Sequence, residues 1–590
     1  MKQFFKFFFA SVLGFFVSFL IIFIIGLILI SGMLAAFGSK TVQPKSNMVL
    51  ELNLNYEIGE QTKENPFFEL LNKDAPQPLG LDEILYNIKR AAKDDNVTGI
   101  LVRPGMLMAG YGTLEEVANA IKEFRQSGKF AYAYCELLTE KNYLLASACD
   151  SIFLNPSGTL ALDGLGYNVI FYKGLLDKLG VKMELFKVGT HKGAAEVYTQ
   201  QSLSDANREQ IKRYIDALFN KFCEDVTLAR NIDKEDFKKK VAGFEIQTPQ
   251  QALDNKWIDG VWYEDQVADL IKESTGRSKN DKICFTNLSS YRKMSGPNLR
   301  NSNASNKIAY VYIDGEITYN NNQVAGQPSC KSLLHTLRKV RYDKAVKALV
   351  LRVNSPGGSA YGSDQLWREI SLIQKVKPVI VSMGDVAASG GYYLSAPADT
   401  IVVSNYTLTG SIGVFALYPN VNVFLKDKLG LSFESVKTGE YADIAMPGRD
   451  FTQTERTIIQ NGVNRVYQDF TKVVREGRKL DSVAVENIAE GKIWIAQDAI
   501  NNHLADVVGG IQTAIDIAAF KAGLDSGDYK IIYLPKHDDF MSSLMDFSSR
   551  IQLSRTKQEL GDFYIYYTSL KSATERTGMQ MYLPFVPILD

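Results

Sequence analysis

One order of segments runs through this chain twice, from about Val49 to Ser274 and again from about Ile308 to Leu524. Each copy opens on a short apolar strand, Met48-Val-Leu-Glu-Leu-Asn-Leu in the first and Ile308-Ala-Tyr-Val-Tyr-Ile in the second. A helical stretch follows, and then a second strand, Gly99-Ile-Leu-Val-Arg or Ala348-Leu-Val-Leu-Arg. Tyr143-Leu-Leu-Ala-Ser-Ala-Cys-Asp aligns with Tyr392-Tyr-Leu-Ser-Ala-Pro-Ala-Asp, and Lys187-Val-Gly-Thr-His-Lys with Lys437-Thr-Gly-Glu-Tyr-Ala. Internal repetition constrains architecture more than any local signal. Strands alternate with helices in both copies, so each is an α/β unit around a largely parallel sheet.

In this register Ser389 stands where the first copy has Glu140, and Lys192 stands where the second has Ala442. The intervals from 140 to 192 and from 389 to 442 are 52 and 53 residues. Each copy thus has a serine slot and a lysine slot, with one of the two refilled. The expectation is two like domains packed together, one supplying a nucleophile and the other a base.

Among 590 residues, 66 Lys and Arg balance 66 Asp and Glu, which leaves no basic field to recruit nucleic acid. The five cysteines (Cys135, Cys149, Cys223, Cys284, Cys330) contain no CxxC pair, which argues against a zinc site or a disulfide scaffold. Free buried thiols are expected, with a single disulfide as the alternative. Between Lys6 and Lys40 lie 33 uncharged residues. About 20 apolar residues suffice to cross a bilayer. The apolar core of a cleaved signal peptide is shorter, about 7–15 residues. The run therefore reads as a retained membrane anchor, although Ala35-Ala-Phe-Gly-Ser leaves cleavage open.

The expected layout is an anchor at 1–40, a first repeat at 46–275 and a linker at 276–306, then a second repeat at 307–540 and a tail at 541–590. A short stalk covers 42–47. The linker is rich in Ser, Asn and Lys, with one strand expected near Phe285. The tail reads as a helix and then an extended apolar end from Tyr582, packed either on its own domain or on a neighbouring subunit.

Three small-residue clusters follow strands in the second copy. Gly384-Asp-Val-Ala-Ala-Ser389-Gly390-Gly391 places Ser389 at a strand-to-helix turn, where helix N-terminal amides favour developing negative charge. The same cluster is what a tight turn needs for packing alone. Ser355-Pro-Gly357-Gly358-Ser359 is either an oxyanion pocket, worth roughly 3–4 kcal/mol per donor, or an ordinary Pro-Gly turn. Ser411, in Thr409-Gly-Ser-Ile-Gly-Val, either orients a neighbouring amine or caps its own turn. Asp385 orders its turn or bridges the domains.

A serine nucleophile needs a base. Of four histidines only His191 lies in a constrained segment, and it adjoins Lys192. Lysine serves if burial lowers its pKa from about 10.4 by roughly 3 units. Gly189, Gly193, Ala194 and Ala195 permit such enclosure. A lone loop lysine is ordinarily solvated, and it is the repeat register that favours the base. There is no Walker loop, no HExxH helix and no GxGxxG after a strand.

Ser-Pro-Gly-Gly-Ser at 355–359, Gly-Asp-Val-Ala-Ala-Ser-Gly-Gly-Tyr-Tyr at 384–393, Thr-Gly-Ser-Ile-Gly-Val at 409–414 and Lys-Val-Gly-Thr-His-Lys at 187–192 resemble the signal peptide peptidase (protease IV) family in its long two-repeat form. The resemblance spans nearly the whole chain. It implies two tandem ClpP/crotonase-like repeats behind an N-terminal transmembrane helix. It implies Ser389 as nucleophile, Lys192 as general base, Gly357, Gly358 and Gly390 around the oxyanion, and Ser411 as auxiliary. It further implies a homotetramer on the periplasmic side of the inner membrane that degrades released signal peptides and other short hydrophobic peptides. No metal, nucleotide or organic cofactor is called for. His191 departs from the aromatic residue common at that place. Two rival readings are a crotonase-type acyl-CoA enzyme and a membrane scaffold that kept the fold without the chemistry.

Overall fold

The computed structural model describes residues 2–36, 45–63, 77–300, 303–319, 329–535 and 579–583. Part of the stalk at 42–47 and the helix expected after residue 541 lie outside them. Helix α1 (Lys2–Ala36) carries a 20-residue stretch, Lys6–Ile25, with mean hydropathy 2.8 and none of it buried. At about 1.5 Å rise per residue that stretch is long enough for a bilayer core.

The first half alternates β1 (Met48–Asn53), α2 (Leu81–Ala92), β2 (Val97–Arg103), α3 (Tyr111–Arg125), β3 (Phe130–Thr139), α4 (Glu140–Ala146) and β4 (Ser151–Ala161). After β4 come β5 (Lys182–Val188), α5 (Asp205–Arg230), β6 (Gly260–Val261) and β7 (Cys284–Asn287). In α2, Leu81, Ile84, Ile88 and Ala91 are buried at helical spacing, which seats one face on the sheet. In β2, Val97, Gly99, Ile100, Leu101 and Val102 are all buried, as a parallel strand covered on both faces requires. The strand expected near Phe285 is β7, which pairs with β1 inside the segment read as linker.

The second half contains β8 (Asn306–Asp314), α6 (Cys330–Tyr342), β9 (Val346–Ser355), β10 (Gly357–Ser359), α7 (Ala360–Gln374), β11 (Val379–Ala388) and α8 (Gly390–Ser395). It continues with β12 (Thr400–Val403), β13 (Leu408–Gly410), β14 (Val414–Asn420), α9 (Gln453–Arg478), β15 (Ile493–Ile495), β16 (Val507–Val508) and β17 (Tyr529–Leu534), and the tail adds β18 (Met579–Tyr582). The first sheet runs β6-β4-β3-β2-β1-β7, and the second contains the same path, β16-β12-β11-β9-β8-β17.

The duplication reaches individual hydrogen bonds. Tyr143 OH donates to the Trp257 carbonyl at 2.8 Å, and Tyr392 OH to the Leu504 carbonyl at 3.0 Å. Asp150 accepts from Ala131 N as Asp399 does from Val379 N. Asp259 accepts from Ile152 N as Asp506 does from Ile401 N. The five cysteines are free, and burial pushes the Cys135 thiol up to about 12.

A four-stranded antiparallel sheet, β10-β18-β14-β5, breaks the pattern, because it takes β5 from the first half, β10 and β14 from the second and β18 from the tail. The apolar core of the first half likewise continues into Val386, Ala388, Tyr406, Leu408 and Ile493. Around this seam the start of α3 docks through carboxylates. Asp385 accepts from Thr113 N at 2.9 Å and Thr113 Oγ1 at 2.7 Å. Glu115 accepts from Ser404 Oγ at 2.6 Å and from Asn405 N at 3.0 Å. Asp385 therefore bridges the halves.

Deepest in the seam, Arg352 of β9 is enclosed with Glu60 and Glu116 of the first half. Its Nε lies 2.8 Å from Glu60 Oε2 and its Nη1 2.8 Å from Glu116 Oε1. Removing one member of a buried ionic cluster leaves the others uncompensated, at a cost of about 3–5 kcal/mol. Arg352→Met is expected to lose about that much unfolding free energy in a urea titration. Adding Glu60→Gln and Glu116→Gln should recover most of the loss; a triple variant no better than the single would refute ionic pairing as the cause.

Candidate active site

Strand β11 ends at Ala388 and α8 begins at Gly390, so Ser389 carries the whole turn, with φ 55° and ψ −114°. A non-glycine residue in that region is strained by about 1–3 kcal/mol, which surrounding contacts must hold in place. They do so here: Ser389 N donates to the Gly410 carbonyl at 2.8 Å, and Tyr393 N to the Ser389 carbonyl at 2.8 Å. The Ser389 side chain does not cap the helix, which leaves its hydroxyl available. The small residues behind it are also required by packing. A β-carbon on Gly390 would lie 2.5 Å from Ser363 Oγ, and one on Gly391 2.8 Å from the Ser355 carbonyl. Tight turn and presented hydroxyl are thus two aspects of one geometry.

Lys192 follows β5, whose antiparallel pairing with β14 (Val188 opposite Val414) brings the two halves into register here. Its Nζ lies 2.7 Å from Ser389 Oγ, 2.9 Å from the Ser411 carbonyl oxygen and 3.0 Å from Ser411 Oγ. The side chain is buried, and a β-carbon on Gly413 would sit 3.1 Å from its Cδ. The loop 489–492 closes the other side. There His191 N donates to the Glu490 carbonyl at 3.0 Å, Ser411 N to the Lys492 carbonyl at 2.6 Å, and a β-carbon on Gly491 would lie 2.5 Å from Lys192 N. Burial alone holds the amine well below the usual lysine range.

The glycine pair forms β10. Gly357 and Gly358 have φ of 104° and 149°, and a β-carbon on Gly358 would strike the Ile317 carbonyl at 2.2 Å. Gly357 sits close to Gly390: a β-carbon on the former would lie 2.8 Å from the latter's N. The structure therefore gathers Ser389, Lys192, Ser411, Gly357 and Gly390 in one place, with Gly358 next along β10.

His191 faces a surface pocket with Gln210, Arg213 and Trp494, and its Nδ1 has no hydrogen-bond partner among the described residues. Glu140, in the serine slot of the first half, accepts from Asp163 N at 2.9 Å and Gly164 N at 2.8 Å. Burial raises its carboxyl to about 7. That slot is filled by a self-satisfied carboxylate. The loop 489–492 and strand β18 escaped the sequence reading; a single glycine within Ala489-Glu-Gly-Lys carries no signal of its contact with Lys192.

Residues 123–277 and 371–525 each match Peptidase family S49. The chain is 31% identical over 498 residues to serine protease SPPA, chloroplastic, of Arabidopsis thaliana, covering 83% of this chain and 71% of that one. It is 30% identical over 503 residues to protease 4 of Haemophilus influenzae, covering 82% and 80%. Against protease 4 of Salmonella typhi it is 33% identical over 466 residues, covering 77% and 74%.

The enclosed amine sets a sign for stability. An unfolded lysine binds its proton up to about pH 10.4, whereas the folded one releases it at lower pH. Folding therefore sheds a proton between those two values, and stability rises with pH there by up to about 1.4 kcal/mol per pH unit. Lys192→Met removes this slope. Melting temperatures of the two proteins from pH 6 to 10 should show the variant at its greatest advantage at the acid end and converging toward pH 10. Parallel curves would mean that Lys192 is charged in the folded state.

Proposed function

The chain belongs to peptidase family S49 and is a serine protease, and we propose that Ser389 is its nucleophile and Lys192 its general base. The observation that carries this reading is the 2.7 Å approach of the Lys192 amine to Ser389 Oγ in a site without water-facing surface. A neutral amine has two N–H groups and one lone pair. Its two hydrogens suit the carbonyl and hydroxyl oxygens of Ser411, and its lone pair then faces the Ser389 hydroxyl. Lys192 takes that proton as Oγ attacks the scissile carbonyl, and returns it to the leaving amine. The main-chain amides of Gly358 and Gly390, with Gly357 beside them, receive the oxyanion. A water activated by Lys192 then hydrolyses the acyl-enzyme. Ser411 positions the amine.

The substrates are released signal peptides and other short hydrophobic peptides. The apolar cluster of Phe415, Leu417 and Tyr198, which also takes in Ala194 and Ala195 just after Lys192, supports that reading. Helix α1 tethers the body to the inner membrane, with the site on the periplasmic side. The apolar stretch Lys6–Ile25, none of it buried, supports the tether.

Self-assembly into a homotetramer fits the way β5 and β14 are used. The segment corresponding to β14 in the first half, 162–172, and that corresponding to β5 in the second, 431–438, lie in no strand. Ile170, Leu431, Phe433 and Val436 are exposed there. Head-to-tail joining of these segments between copies repeats the pairing made once within the chain, and a heterologous contact of this kind gives a ring of four when each copy is rotated a quarter turn from the last.

Ser389→Ala and Lys192→Ala are each expected to lower peptide hydrolysis by about 10⁴-fold or more. Wild-type kcat/KM should rise with pH as the ammonium of Lys192 loses its proton, and then level off. Full activity in either variant would refute the pair.

A further inference from the structure

We propose that Asp385 is a positioning residue for the Ser389–Lys192 pair: by capping helix α3 of the first half, it sets the turn that presents Ser389 to the amine. The proposal rests on the roles assigned to those two residues and concerns what fixes their approach. Strand β11 does not run straight into the turn. Met383 pairs with Val353 and Ala387 with Ser355, so residues 384–386 bulge out opposite the single residue Asn354. The base of the bulge is held within the second half. Thr407 Oγ1 donates to the Gly384 carbonyl at 2.7 Å, Thr409 Oγ1 to the Ala387 carbonyl at 2.6 Å, and Val386 N to Asn354 Oδ1 at 3.1 Å. Asp385, at the apex, is held from the other half, by the Thr113 amide and hydroxyl. A bulge bends its strand and re-aims the side chains that follow.

The contact is built from both sides. Thr113 is the third residue of α3, a position whose amide a cap side chain normally satisfies. The cap residue itself, Gly110, has no side chain to offer. A β-carbon on Gly110 would lie 2.2 Å from Asp385 Cγ, and one on Gly112 3.0 Å from Asp385 Oδ1. Asp385 thus fills the space that a side chain on Gly110 would take, and caps the helix in its stead. Its charge suits the positive end of the helix dipole. The repeat makes the exchange visible. Gly110 corresponds to Ser359, which caps α7 with its own hydroxyl, accepting from Gly362 N at 3.2 Å. Asp385 corresponds to Glu136, which is exposed on a like irregularity of β3. The first copy has exchanged a local cap for one supplied across the seam, four residues before Ser389. Because the same half carries Lys192, one contact ties the placement of the amine to the placement of the hydroxyl.

The test uses the full-length chain and measures kcat and KM for a fluorogenic peptide, together with labelling of Ser389 by a fluorophosphonate. Asp385→Ala should lower kcat and the labelling rate by about tenfold to a hundredfold, the cost of displacing a reacting group by about 1 Å. KM and the final extent of labelling should match the wild type, which a loss of folded protein would not allow. Asp385→Asn keeps an acceptor for Thr113 N, and its amide can donate to the Thr113 hydroxyl, so it should restore most of the rate. Gly110→Ala should slow the wild type, because its β-carbon strikes the carboxylate, yet cost nothing further when added to Asp385→Ala. Should Asp385→Ala fail to fold, Thr113→Val, which deletes the hydroxyl contact alone, carries the same comparison with a smaller loss. The proposal is overturned by an unchanged kcat in a folded variant, by equal losses in the Asn and Ala variants, by additive losses with Gly110→Ala, or by a loss that the extent of labelling accounts for. Labelling of a residue other than Ser389 in the wild type would instead overturn the nucleophile assignment beneath it.

Discussion

The enclosure of one amine organises this molecule. Lys192 belongs to the first half, yet its side chain lies against Gly413, Ser411 and the loop 489–492 of the second. Burying a charged ammonium without a counter-ion is costly, so enclosure favours the neutral amine. No carboxylate contributes to its shift; desolvation by packing is sufficient. The amine's chemistry therefore depends on shape, and that shape exists only where the halves meet.

That dependence explains how much of the seam is polar and fixed in direction. Asp385, Glu115 and the Arg352–Glu60–Glu116 cluster are directional contacts, each satisfied only in one relative placement of the halves. Apolar contacts such as those of Val386 and Leu408 add burial but tolerate sliding. An arrangement that holds two hydroxyls within 3.0 Å of one amine cannot tolerate it. The strained φ of Ser389 is held by the same surroundings, through its hydrogen bonds to Gly410 and Tyr393.

Much of the framework is legible in the sequence because the chain can be compared with itself. Tyr143 and Tyr392 align, and their hydroxyls make the same bond in each half. Neither Ser389 nor Lys192 is distinctive alone, and they meet across 197 residues. The matched slots in the two copies, and the motifs of the family resemblance, point to both. What stays hidden is whatever the two copies do not share. The β5–β14 pairing crosses between halves and has no local pattern, and the loop at Gly491 reads as an ordinary turn. The apolar end of the tail shows that something covers it, and its own domain does so at residues 579–583, but its register against Gly357–Ser359 depends on contacts no sequence window contains.

The loop that closes over Lys192 ends at Lys492, 300 residues downstream. At a synthesis rate of about 5–20 residues per second, the ribosome needs about 15–60 s to make that stretch. Throughout that time the walls that enclose the lysine in the folded chain are incomplete. With Lys192 as the proposed base, the hydrolytic site is complete only when those last walls arrive. No separate propeptide is needed to impose that delay.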